Sequence, residues 1–205
     1  MKFERALGNM GKAAAMKRAQ GFKTVLGAQM VLLPENTAEA TTLARRAKDA
    51  GLDYVVIKPY SQHKMSHTRQ YEGLHYSNMM KLADELETFN DDKFHVVFRS
   101  NAMQKWDDPD RHYTTCHATP HFWAYVMASG DVYGCSAYLL DERFRYGNLN
   151  QRTFKDIWEG EERKRNWKYV LEELDISECR KNCRMDEVNR YLWSLKNPPE
   201  HSNFI

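Results

Sequence analysis

All four cysteines of this 205-residue chain fall between positions 116 and 183: Cys116, Cys135, Cys179 and Cys183. The first 115 residues contain none, and neither do the last 22. Thiols gathered in this way share a task, and soft thiolate ligands suit zinc or an iron–sulfur cluster. The second half must therefore fold so that four sulfurs converge. Three residues lie between Cys179 and Cys183, so one helical turn or tight loop can turn both sulfurs to the same side. Eighteen lie between Cys116 and Cys135. There the run FWAYVMA (122–128), the turn Ser129-Gly130-Asp131 and the run VYGCSAYLL (132–140) predict a β-hairpin that folds the distance back, with Cys135 on its second arm. Zinc sites favour two close pairs with two to four residues between ligands. The first pair departs from that rule, which tilts the reading toward a cluster while chemistry alone leaves both metals open.

The first half carries no such chemistry and reads as α/β. Phe3, Leu7, Met10 and Ala14 recur at spacings of three and four and predict a helix that ends at Gly21. TVLGAQMVLL (24–33) is an apolar run of strand length, as expected for a strand buried on both faces. Asn36 and Glu39 form a capping-box pattern ahead of an apolar stripe through Ala40, Leu43, Ala44, Ala47 and Ala50. DYVVIKP (53–59) is a second strand, and strand–helix–strand with short connections is a parallel βαβ unit. The polar loop 60–69 follows the carboxyl end of that strand, the edge where parallel α/β folds bind ligands. A third helix is expected over about 71–90, with Tyr76, Met79, Met80, Ala83 and Leu86 inward. KFHVVFRS (93–100) is a further strand, with His95 read as structural. Residues 101–115 are polar and read as a linker.

After the hairpin, Tyr146-Gly147-Asn148-Leu149 reads as a loop. Thr153 with Asp156 can start a helix, Gly160 interrupts it, and a second amphipathic stretch carries Trp167, Val170, Leu171 and Leu174. A short helix, MDEVNRYLWSL, follows Cys183. Lys and Arg total 30 against 28 Asp and Glu, a net charge of +2 that gives no reason to expect nucleic acid. The charge-speckled amino terminus is neither a signal peptide nor a membrane span, so the expectation is a cytoplasmic protein with no membrane partner. That compartment keeps thiols reduced, against a pair of disulfides.

Residues 116 to about 190 resemble the SPASM/Twitch auxiliary-cluster domain that follows the barrel of many radical S-adenosylmethionine enzymes. The likeness rests on Cys116, Gly130 and Cys135, with thirteen and four residues in the gaps, then Gly147-Asn148-Leu149 and Thr153-Phe154-Lys155-Asp156-Ile157-Trp158, then Cys179 and Cys183. SPASM proteins carry seven cysteines for two clusters. Four favour the shorter Twitch form, with one auxiliary [4Fe–4S] cluster held by all four. The first half is similar to the last βα units of the family's partial TIM-like barrel.

The domains implied are 1–100, the carboxyl-terminal part of that barrel; 101–115, a linker; 116–192, the auxiliary iron–sulfur domain of hairpin and helices; and 193–205, a tail. Gln29, Lys58, Tyr60, Gln62 and His63 would then lie at the substrate or cofactor mouth, with Arg99 for an anionic substrate group. Trp123, Tyr125 and Tyr133 would flank the cluster. The family's catalytic cluster needs a C-x-x-x-C-x-x-C loop, which this sequence lacks. S-adenosylmethionine and a second [4Fe–4S] cluster are thus expected only in a complete enzyme, where a 5′-deoxyadenosyl radical abstracts substrate hydrogen. The expected partners are a missing amino-terminal barrel half, encoded in the same gene or on a separate polypeptide, and a small-molecule or peptide substrate. Two alternatives stand beside this reading: a non-catalytic four-cysteine zinc module, and the barrel-completing subunit of a split enzyme.

Overall fold

The computed structural model describes residues 2–108, 110–180 and 182–201. It is mixed α/β and divides into two compact units, one of residues 1–62 and 68–109, the other of 63–67 and 110–205.

The first unit is built on a three-stranded parallel sheet in the order β1 (Gly27–Leu32), β2 (Tyr54–Pro59), β3 (His95–Phe98). Register pairs Gln29 with Val56 and Val56 with Val97, so these three share a face. The opposite face carries Leu32, Val55, Ile57 and Val96, all buried. It packs on Ala40, Ala44 and Ala47 of helix α2 (Ala40–Asp49) and on Leu82 and Leu86 of helix α3 (Leu82–Glu87). Alanines at that spacing let helix and sheet approach closely. The Gln29–Val56–Val97 face is open by comparison: Gln29, His95 and Val97 are exposed. Strands expected to be buried on both faces are covered on one.

Tyr76 closes the carboxyl end of the sheet. Its hydroxyl donates to the Leu32 carbonyl at 2.9 Å and accepts from the Tyr60 N–H at 2.7 Å. Burial pushes that phenol up to about 12. Helix α1 (Lys2–Gln20) buries only Ala14.

Three local expectations change. Asn36 does not share a capping box with Glu39. Its side chain turns back, accepting from the Leu33 N–H at 2.9 Å and donating to the Val31 carbonyl at 3.0 Å, so the α-helix starts later. The long helix over 71–90 is a turn followed by the short α3. The Asp107 carboxylate captures the Tyr76 and Ser77 N–H groups at about 2.9 Å and fixes a turn in place of helix. Residues 100–107, read as part of a linker, form helix α4 (Ser100–Asp107), with Met103 and Trp106 in the core. Pro109 within the expected linker and residues 202–205 of the expected tail lie outside the described residues, as does Met1.

The second unit holds a three-stranded antiparallel sheet, β4 (Tyr125–Val126), β5 (Asp131–Tyr133) and β6 (Arg145–Asn148). Helix α5 (Thr119–Phe122) precedes it. Gly130 sits in the hairpin turn at φ +86°, where an added Cβ would meet the Asn150 side chain at 2.6 Å. The stretch read as a loop around Gly147 is strand β6, paired with β5 across a bulge at Val132/Tyr133. Thr153 caps helix α6 (Phe154–Trp158) by accepting the Asp156 N–H at 3.2 Å. Helices α7 (Glu161–Glu172) and α8 (Asp186–Lys196) complete the unit. Among the described residues no helix is long and apolar enough to cross a membrane.

Candidate iron–sulfur centre

The four cysteines line one cavity of the second unit, with a volume of about 40 Å³. Cys116 lies just before α5, and Cys179 follows a 3₁₀ turn at Ile176–Glu178. Cys183 precedes α8; its carbonyl accepts from the Asp186 N–H at 3.2 Å. Cys135 lies just past β5 instead of on the strand: it begins the 3₁₀ turn Ser136–Tyr138. The apolar wall is Trp123, Val170, Leu174, Ile176 and Met185. Among the described residues no group of three or more His, Cys, Asp or Glu is placed to hold a single metal ion.

Each sulfur already has a polar neighbour. The Ala137 N–H points at Cys135 Sγ and the Met185 N–H at Cys183 Sγ, both at 3.4 Å, each from two residues downstream. The Asn189 amide Nδ2 lies 3.5 Å from Cys116 Sγ, and the Tyr138 hydroxyl 3.6 Å from Cys179 Sγ. These contacts are worth most when the sulfur is a thiolate acceptor.

Burial disfavours the thiolate form of three of the thiols, Cys135, Cys179 and Cys183. Burial, followed by the neighbouring sulfurs, pushes Cys135 up to about 12. Cys179 and Cys183 are raised chiefly by burial as well. A cationic metal core reverses that balance, because it supplies the positive charge buried thiolates lack. The donor set fits an iron–sulfur cluster: four soft ligands, N–H and O–H groups aimed at sulfur, and the cations Arg111, Arg180 and Arg184 at the wall.

The residues that hold the cage were not legible as site residues. The Asn189 carboxamide accepts the His117 and Ala118 N–H groups at 2.7 and 2.8 Å, which pins the Cys116 turn to α8. Arg111 donates to the Cys179 carbonyl. Asp186 accepts from the Tyr113 hydroxyl at 3.1 Å and from Arg190 at 2.8 Å. Nothing in the local pattern around Asn189 separates it from an ordinary helix-surface amide. Of the aromatics expected near the cluster, Trp123 lines the cavity, Tyr133 is buried in the adjoining core and Tyr125 is partly exposed.

The other sequence-derived site residues disperse. Gln29 lies on β1 and Lys58 on β2, and register puts both on the open face of the parallel sheet. Tyr60 donates to Gln62 Oε1 at 3.0 Å, and Gln62 donates to the Thr68 carbonyl at 3.1 Å, so the two shape the loop after β2. Arg99 precedes α4 and is exposed. His63 belongs to the second unit, where Nε2 lies 3.0 Å from the Ser136 carbonyl.

A search of curated proteins finds no match to the chain. Residues 116–184 match the family model of the SPASM iron–sulfur cluster-binding domain. The segment that carries all four cysteines is therefore similar to the SPASM iron–sulfur cluster-binding domain.

Proposed function

We propose that the chain is the carboxyl-terminal portion of a radical S-adenosylmethionine enzyme, in which Cys116, Cys135, Cys179 and Cys183 hold one auxiliary [4Fe–4S] cluster. The observation that carries this reading is the convergence of all four sulfurs on one cavity inside the matched segment. When bound, the cluster supplies one-electron transfer to or from a substrate radical, or helps to place the substrate. The chain's own residues exclude water with the Trp123–Val170–Ile176 wall and donate to the sulfurs from Ala137, Met185, Asn189 and Tyr138.

The first unit serves as the carboxyl-terminal part of a TIM-like barrel. Support comes from its parallel sheet with one helix-covered face and one open face bearing Gln29, Val56, Lys58 and Val97. Parallel sheets are ordinarily covered on both sides, so further strands from an amino-terminal barrel half would complete it. That half would bring the C-x-x-x-C-x-x-C loop; without it this chain does not cleave S-adenosylmethionine. The substrate is a small molecule or a peptide.

Anaerobic purification with reconstitution, followed by iron, sulfide and zinc analysis, tests the assignment. About four irons and four labile sulfides per chain are expected. One zinc per chain with no labile sulfide overturns it.

A further inference from the structure

Residues 63–67 belong to the cysteine-bearing unit, although the chain on either side of them belongs to the parallel-sheet unit. His63 fixes this excursion. Its Nδ1 accepts the Met65 N–H at 3.1 Å, so Nε2 carries the proton and donates to the Ser136 carbonyl at 3.0 Å, next to Cys135. The next residue, Lys64, places its ammonium 4.5 Å from the centroid of the Tyr138 ring. That ring stacks on Phe144 at 4.2 Å and 8°, and its hydroxyl lies 3.6 Å from Cys179 Sγ. A cation, a phenol and a ligand sulfur thus stand in series.

From this series we propose that Lys64 sets the potential of the iron–sulfur centre: its ammonium, seated on Tyr138, holds the reduction potential above the value that the cysteine cage alone would give. The proposal rests on the iron–sulfur reading above. Reduction adds one electron to an assembly already made anionic by four thiolates, so a nearby cation stabilises the reduced form more than the oxidised one. Tyr138 extends that influence, because a cation over the ring makes the hydroxyl a stronger donor to sulfur.

Two carboxylates face the same lysine. Asp141 is held below the usual carboxylate range chiefly by Arg143, and Asp175 chiefly by the Ser177 N–H; Lys64 adds to both. They moderate the ammonium's field, and each keeps its own partner, Arg143 for Asp141 and Ser177 for Asp175, when the ammonium is lost. The cavity-wall Arg111 acts in the same electrical sense, but it also binds the Cys179 and Arg180 carbonyls. Its removal would open the cage, whereas Lys64 reaches the cage through a ring.

The test is a redox titration of the reconstituted full chain, read by electron paramagnetic resonance, with iron and sulfide measured in every sample. Lys64→Gln is expected to keep full iron and sulfide and to move the midpoint to a more negative potential. Lys64→Arg should return it to the wild-type value. Tyr138→Phe should move it negative and shrink the further effect of Lys64→Gln. An unchanged midpoint in Lys64→Gln overturns the proposal. So does a loss of iron in that variant, which would mark the lysine as a structural support. Zinc without sulfide in the unmodified chain fails the underlying reading instead, and metal analysis before any variant is made tells that failure apart.

Discussion

The two units keep their interiors in opposite ways. The parallel-sheet unit buries Leu32, Val55, Ile57, Leu86, Phe94, Met103 and Trp106, with no buried polar or charged residue among those described. The cysteine-bearing unit buries Thr119, Asn166, Asp186 and Asn189 beside Tyr113, Tyr133, Tyr138 and Tyr146. Polar groups inside a protein are tolerated only when partnered, and these are. The Tyr146 hydroxyl donates to Asn166 Oδ1 at 2.9 Å, Asn166 donates to the Arg143 carbonyl at 2.7 Å, and Tyr113 donates to Asp186. The first interior is held by removing hydrocarbon from water. The second is a network of hydrogen-bonded side chains around four thiols that still buries His117 Nε2, Arg163 Nε and Asn182 Nδ2 without a hydrogen-bond partner, and metal binding is expected to add to its stability.

Removal of the metal should break the comparison most sharply. Chelation should abolish amide protection across residues 113–196 while protection over 27–62 and 68–106 survives, read by hydrogen exchange with mass spectrometry; parallel loss in both units would show that they share one source of stability. Next in size, Trp106→Ala should cost about 3–5 kcal/mol through lost burial and the 2.6 Å bond from its indole N–H to the Leu74 carbonyl. Denaturant unfolding checks this, and iron content should stay at the wild-type level. Asn189→Ala should cost about 1–3 kcal/mol by orphaning two buried N–H groups, and here iron content should fall with stability. The smallest effect is electrostatic. Asp53 lies below the usual carboxylate range because the Leu26 N–H and then Lys17 favour its charged form. A lowered folded pKa adds stability that is complete above about pH 4 and is lost as pH falls through the folded value. Asp53→Asn should therefore be less stable than the wild type at pH 6, and the difference should shrink as pH falls below about 4, followed by circular dichroism in denaturant.

What could be read from the residues was what local pattern encodes. The apolar runs around Val31 and Val55, the turn at Gly130 and the Thr153 cap are signals within a few positions, and elements stand there, although the hairpin arms expected over 122–128 and 132–140 shrink to Tyr125–Val126 and Asp131–Tyr133. The break in the 71–90 helix was not legible because its cause, Asp107, lies about thirty residues away. Strand β6 was read as a loop because its partner, not its composition, makes it a strand. The cysteines announced themselves by type and spacing. Asn189, Arg111 and Lys64 act through contacts to main chain or to a ring, and side chains of those types are common on any surface.

The amino-terminal helix α1 has a consequence of its own. Beyond buried Ala14 and partly buried Met10 it is fastened by charge: Lys17 to Asp53 at 2.6 Å, and Glu4 to Arg46 at 2.5 Å. Exposed ion pairs weaken as dissolved ions screen them, whereas burial under α2 does not. Ionic strength is thus a handle on how α1 is held. In molar salt, α1 should exchange its amide hydrogens first and become the preferred place for a protease to cut, while the sheet beneath it holds its register.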